Sequence, residues 1–246
     1  RELKKTKPDI IQVENRPRYV PYLKKRHPAS QIWLSLHSTT FLSARYISPR
    51  RLMFCLRSAD RLLVNSHFLR EYLIRLLPET ESKITVNHPG VDPAQFVSRW
   101  SLAGAARREA LLAKLGLAGR KVVLYVGRLI PLKGVHHLLA AWQTVSPAVP
   151  GAVLLVVGGS GYGSNRKTAY VRRLYKMARG MGDSVRFIPY VPYSHIADWF
   201  LAADVMVVPS GKREAFGLVN VEAMASGVPV IATRAGGIPE IVHDGM

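Results

Sequence analysis

Two glutamates eight residues apart, Glu214 and Glu222, stand in the segment REAFGLVNVEAMASG (213–227), where nearly every side chain from Leu218 to Ala225 is apolar. A helix apolar on most sides is expected to bury itself completely, and a carboxylate inside it is costly unless something pairs with it. A ligand rich in hydroxyls would satisfy such a carboxylate. Backbone amides of a neighbouring loop would do so too, and the residues alone leave both readings open. Gly217, at the start of this helix, leaves amides exposed for an anion.

Upstream, GRLIPLKG (127–134) places Arg128 and Lys133 around the N-terminus of the next helix, with Gly127 letting the chain turn sharply. That setting suits a phosphate or diphosphate, although a solvated basic loop would have the same composition. His37 closes the run QIWLSLH (31–37), which is expected to set its ring at the mouth of a crevice. Two acids for hydroxyls and two cations for phosphate together describe a nucleotide sugar.

Other chemistries fail on detail. VVGGSGYG (156–163) has Gly159 and Gly161 but Ser164 where a dinucleotide fingerprint needs its third glycine. It reads as a close-approach turn beside a ligand. There is no phosphate loop of the G-x-x-x-x-G-K-[ST] kind and no G-x-S-x-G nucleophile elbow. The eight histidines show no metal-ligand spacing with carboxylates or cysteine. The single cysteine, Cys55, lies in an apolar helical pattern and reads as a packed thiol.

These residues need a scaffold, and the hydrophobic pattern supplies one. KVVLYVG (121–127) is an apolar run ending in glycine, as expected of a parallel strand covered on both faces. Helical and strand patterns then alternate: 134–145, 152–158, 166–180, 184–188, 194–203, 204–210, the buried helix, and 229–233. A series of βα units implies a doubly wound parallel sheet. The first part alternates likewise, with strands at 9–15, 31–37, 61–66 and 83–88 and helices at 17–26, 49–59 and 67–77. RELKKT (1–6) looks like the tail of an earlier helix. HPGVDPAQF (88–96) is the join, and 97–120 reads as a helical connector. The expected organisation is two α/β Rossmann-like domains, 1–94 and 95–246, the first incomplete. Open α/β sheets bind ligands at the carboxyl ends of their strands, so every candidate is sought just after a strand.

The 246 residues are 48% hydrophobic and 21% charged, a globular balance. The net charge of +19 calls for an anionic partner such as phosphate, nucleic acid or an acidic membrane surface. The basic pairs Lys4-Lys5, Arg50-Arg51, Arg107-Arg108 and Arg172-Arg173 are scattered without a nucleic-acid motif, so no specific nucleic acid is expected. Residues 134–165 carry no charge, but Pro147, Pro150 and several glycines rule out a membrane span there. With no leader pattern and one cysteine, the expectation is a cytoplasmic protein, with peripheral attachment to a membrane or spore surface left open.

GRLIPLKG, NHPGVDPAQF and EAFGLVNVEAMASGVPVIATRAGGIPEIVHDG together resemble the retaining glycosyltransferases of family 4, which have the two-Rossmann GT-B fold. The match runs over most of residues 84–246. VENRPRYV and LSLHSTTFLS are similar to segments of bacterial spore-coat glycosyltransferases of that family.

The resemblance implies that Gly127, Arg128 and Lys133 hold the donor diphosphate and that Glu214 contacts the transferred sugar. It gives Glu222 the ribose, Phe216, Gly217 and Leu218 the sugar and phosphate through backbone amides, and Tyr190 and Val191 the nucleobase. His37 would reach the donor sugar, so that His37, Arg128, Lys133 and Glu214 carry the catalysis. It also implies a UDP- or GDP-linked hexose-type donor as substrate, no metal or other cofactor, transfer with retention, and a glycan, lipid or protein acceptor. Members begin with a further strand and glycine-rich loop and continue past His243-Asp244-Gly245-Met246. The chain is therefore expected to be an internal portion whose own turnover is doubtful, with a catalytically silent coat or scaffold protein as the rival reading.

Overall fold

The computed structural model describes residues 6–245. The expected helix tail at the N-terminus lies, apart from Thr6, outside the described residues. The chain divides into two compact units between Pro89 and Gly90, inside the Pro/Gly-rich join.

The first unit contains β1 (Ile10–Glu14), α1 (Val20–Arg26), β2 (Gln31–Leu36), α2 (Pro49–Ser58), β3 (Arg61–Val64), α3 (His67–Leu76) and β4 (Ile84–Val86). The strands are all parallel and pair in chain order, β1-β2-β3-β4. Right-handed crossovers between strands in that order place the helices on one face. Burial agrees: along β1, Ile11 and Val13 are buried while Ile10, Gln12 and Glu14 are exposed. One core results, with Ile32, Leu34, Leu36, Leu52, Leu56, Leu69 and Leu73 at its centre. Cys55 lies within it, and burial pushes its thiol pKa up, as befits a packed thiol. The winding reversal expected of a doubly wound sheet is not found among the described strands of this unit.

The second unit opens with the connector helix α4 (Leu102–Lys114) and continues β5 (Val122–Val126), α5 (Val135–Ala148), β6 (Val153–Val157) and α6 (Ala169–Ala178). It is completed by β7 (Val185–Ile188), α7 (Ile196–Ala202), β8 (Val205–Val208), α8 (Leu218–Ala225) and β9 (Val230–Ala232). The parallel order is β7-β6-β5-β8-β9, so the winding reverses between β5 and β8. Helices cover both faces, which is why β6 is buried at all five positions and two cores flank the sheet. No helix among the described residues is long and apolar enough to cross a membrane.

An aspartate just before a strand fastens each sheet. Asp60 accepts the Ile32 amide at 2.7 Å and pairs with Lys24, and Asp204 accepts the Val122 amide at 2.8 Å and pairs with Arg108 and Arg99. Arg108 also donates to the carbonyls of Leu201 and Ala203, which ties the connector helix to α7.

Candidate functional site

In an open α/β sheet the ligand crevice lies beyond the carboxyl ends of the strands where winding reverses. In the second unit that point is between β5 and β8, and the two loops leaving these strands are 127–134 and 209–217. They are packed hard together. Gly134 adopts φ 72°, and a Cβ there would lie 1.8 Å from the Pro209 carbonyl oxygen, so only glycine fits. The Gly211 amide donates to the Leu132 carbonyl at 2.7 Å. A third loop joins them, for Leu129 donates to the Gly159 carbonyl, and a Cβ on Gly158 would lie 2.0 Å from the Gly127 oxygen. The close-approach reading of VVGGSGYG holds.

This packing brings Lys133 and Glu214 together, Nζ to Oε2 at 2.5 Å, with both side chains largely buried. Glu214 is fixed further by its backbone, which donates to Gly211 and accepts from Gly237. Arg128 is half-buried, and its guanidinium lies 5.4 Å from the ring centre of Tyr162. Among the described residues it has no carboxylate partner. A largely buried cation shared with an acid, on the same loop as a cation with no acid of its own, is a setting that attracts a bound anion.

Gly217 caps α8 in a left-handed conformation at φ 89°, with Phe216 buried behind it and Leu218 as the first helical residue. The helix does not bury itself completely, as its apolar composition led one to expect. The buried side chains are Asn220, Glu222 and Ala223, whereas Met224 is 45% exposed. Asn220 and Glu222, two residues apart, point to different sides of the helix, so its buried polar groups meet different surroundings, while Val219, Ala223 and Ala225 pack on the core.

Burial pushes the Glu222 carboxyl up to about 7, and a hydrogen bond from Tyr193 works against the rise. Near neutral pH this group can both donate to and accept from a hydroxyl. Two buried atoms of the loop after β8 and of α8, Ser210 Oγ and Asn220 Oδ1, have no hydrogen-bond partner among the described residues. Each orphaned polar atom costs free energy unless a ligand or water completes it. Tyr190 and Val191 follow β7, and the Tyr190 amide donates to Asn165 Oδ1 at 2.8 Å.

In the first unit His37 stands just after β2, as its position in the sequence suggested. Its ring Nε2 lies 2.7 Å from Glu14 Oε2 and 3.1 Å from Ser35 Oγ. Sequence reasoning missed Glu14, Ser210, Asn220 and Tyr193. Ser210 and Glu14 had a usable signal, since each ends a strand pattern at the ligand edge. Tyr193 had none.

Cations, acids and a glycine-capped helix gather at the switch point of the second sheet, a combination suited to an anionic, hydroxylated ligand. Comparison with known proteins makes the class specific. Residues 107–246 match the family model of the glycosyl transferases group 1, and residues 1–95 that of glycosyltransferase family 4; the chain belongs to the group 1 glycosyltransferases, with two parallel-sheet Rossmann-like units of GT-B type. It is 34% identical to spore coat protein SA of Bacillus subtilis over 99% of this chain and 64% of that protein. It is 35% identical to the putative glycosyltransferase YtcC of the same organism over 98% of this chain and 59% of that one. The chain thus spans about three-fifths of the length of these relatives. Among solved structures, Anabaena Alr3699/HepE in complex with UDP and glucose superposes with a TM-score of 0.82 at 25% identity, covering 100% of this chain and 64% of that one.

Proposed function

We propose that this chain is the donor-binding and part of the acceptor-side portion of a glycosyltransferase that moves a hexose-type sugar from a nucleoside diphosphate sugar, UDP- or GDP-linked, with retention of configuration. The observation that carries this reading is the buried Lys133–Glu214 pair at the switch point, beside Arg128 and the glycine-capped start of α8. The solved relative crystallised with UDP-glucose supports the donor class.

In this reading Arg128 and Lys133 hold the diphosphate and stabilise the charge that grows on it as the glycosidic bond breaks. The leaving phosphate takes the acceptor proton on the face it departs from, which accounts for retention without a second protein base. Glu214 holds the sugar hydroxyls, Glu222 the ribose, and the amides of Phe216, Gly217 and Leu218 the sugar and phosphate. The backbone of Tyr190 and Val191 holds the base. His37 of the first unit supplies a further contact to sugar. The two protein cations take the place of a divalent metal, and the reaction uses no other cofactor. The acceptor is a glycan, lipid or protein, and the enzyme works in the cytoplasm or at a membrane or spore surface.

Calorimetric titration of the purified chain with UDP, GDP and UDP-glucose tests the site. The expected result is binding of one diphosphate that Arg128→Ala weakens at least tenfold, while the bare nucleoside, bound more weakly, is unaffected. Equal loss for nucleoside and diphosphate would refute the phosphate assignment. Binding without transfer to any acceptor, even in a longer chain that includes the regions of the relatives not matched here, would favour the silent coat-protein reading.

A further inference from the structure

Glu14 and His37 form a contact that the donor site does not explain. Both sit at the carboxyl edge of the first sheet, at the end of β1 and just after β2, and both side chains are about half exposed. A surface pair of this kind is worth little by itself, because holding two side chains in one geometry costs entropy. Yet the backbone around this one is held by several hydrogen bonds.

The His37 amide donates to Asn15 Oδ1 at 2.9 Å, and its carbonyl accepts from Asn65 Nδ2 at 3.2 Å. The Asn15 amide donates to the Ser35 carbonyl at 2.8 Å. Asn15 itself holds φ at 53°, a left-handed conformation that a non-glycine residue adopts at a cost. Glu14 receives hydrogen bonds from Gln12 and His37, and the buried Ser35 stands against the His37 ring. Burial tends to raise its carboxyl pKa, but these bonds outweigh that and hold it below the usual range. Strain and over-determination spent on an exposed pair are expected where a side chain must be presented in one orientation.

The chemistry of the contact then fixes the ring. An ionised carboxylate only accepts, so the imidazole nitrogen 2.7 Å away must be the one that carries hydrogen. Ser35 Oγ, 3.1 Å from the same Nε2, cannot then donate to it, which leaves Nε2 committed to Glu14. The neutral ring therefore keeps its lone pair on Nδ1, and no group among the described residues donates to that atom.

We propose that Glu14 is a positioning residue that locks His37 in its Nε2–H form and so presents Nδ1 as a fixed acceptor for a ligand hydroxyl. The inference deepens the reading of His37 as a sugar contact and rests on it for the identity of the hydroxyl. It places an unassigned acid beside the acceptor-side histidine.

The test is a long-range proton–nitrogen correlation spectrum of the chain labelled with nitrogen-15 at histidine, in alkaline buffer, with His37 assigned through His37→Gln. In the wild type, His37 should show a fully unprotonated Nδ1 and a slowly exchanging Nε2–H proton. Glu14→Ala should erase the Nε2–H signal and move Nδ1 toward a tautomer average, and Glu14→Gln, which keeps a neutral acceptor, should fall between. UDP or GDP affinity and melting temperature should change less than twofold and 2 °C, respectively, in both variants. A wild-type ring that is already averaged, or an Nδ1 signal indifferent to Glu14→Ala, overturns the proposal. Loss of the native fold in Glu14→Ala would assign the acid a structural role and overturn it too. If the tautomer lock is found but no nucleoside diphosphate binds the wild type, the donor-site reading fails while the lock stands.

Discussion

At the scale of single residues, the site concentrates its cost in two carboxylates. Lys133 and Glu214 neutralise each other in a largely buried setting. Removing one partner leaves the other charge uncompensated, so Lys133→Ala is expected to lower stability by about 3 kcal/mol. Lys133→Met with Glu214→Leu removes both charges and should recover most of the loss in a urea titration, while nucleotide binding stays lost. A double variant as unstable as Lys133→Ala would show that the pair is not the source of the effect.

Glu222 carries a pH dependence of defined sign. Burial raises its folded-state pKa to about 7, above the ordinary glutamate value in the unfolded chain. The folded state therefore binds the extra proton between about pH 4.5 and 7, and the stability this contributes is full below that window and lost as pH rises through it. Glu222→Gln has no proton to lose. Relative to wild type it should gain roughly 2–3 kcal/mol on moving from pH 5 to pH 8, the equivalent of a shift of this size. Paired denaturation curves at the two pH values read this directly, and parallel shifts of the two proteins would contradict the burial argument.

At the scale of elements, the switch-point loops depend on glycines that let backbones touch. Gly134 has both a left-handed φ and a neighbouring carbonyl where its Cβ would stand, whereas Gly119 has a similar φ of 74° with open space around it. Gly119→Ala should cost only conformational strain, about 1 kcal/mol. Gly134→Ala must also push the 209–217 loop away, so it should cost several times more. It should weaken diphosphate binding at least tenfold as Lys133 and Glu214 separate. Equal effects at the two positions, measured by thermal unfolding and calorimetry, would mean that the loops do not need to touch.

At the scale of the whole molecule, the charge of +19 is spread along the chain and not gathered into a groove motif. Attraction to polyanions should then be non-specific and governed by counterion release. Oligonucleotide binding is expected to fall at least a hundredfold between 50 and 200 mM salt, with UDP or GDP binding changing far less. Oligonucleotide binding that persists at 200 mM with sequence preference would restore a nucleic-acid role.

Much of this molecule was legible in the chain itself. The uninterrupted apolar runs of β5 and β6 announced strands buried on both faces, because a two-fold period disappears when both faces are covered. The spacing of Arg128, Lys133, Glu214 and Glu222 placed each just beyond a strand, where parallel sheets bind ligands, and the density of glycines marked the loops that approach one another. What the chain could not announce were relations between strands distant in sequence. Only the order β7-β6-β5-β8-β9 makes 127–134 and 209–217 neighbours, so only the tertiary structure turns Lys133 and Glu214 into a pair across 81 residues. The same holds for Glu14 and His37, which share a hydrogen bond because β1 and β2 lie side by side in register. Local pattern reports which face of an element is apolar. It says nothing of which polar residues the packing will turn inward, and so Asn220 and Glu222, the interruptions in an apolar helix, proved to be among its buried side chains.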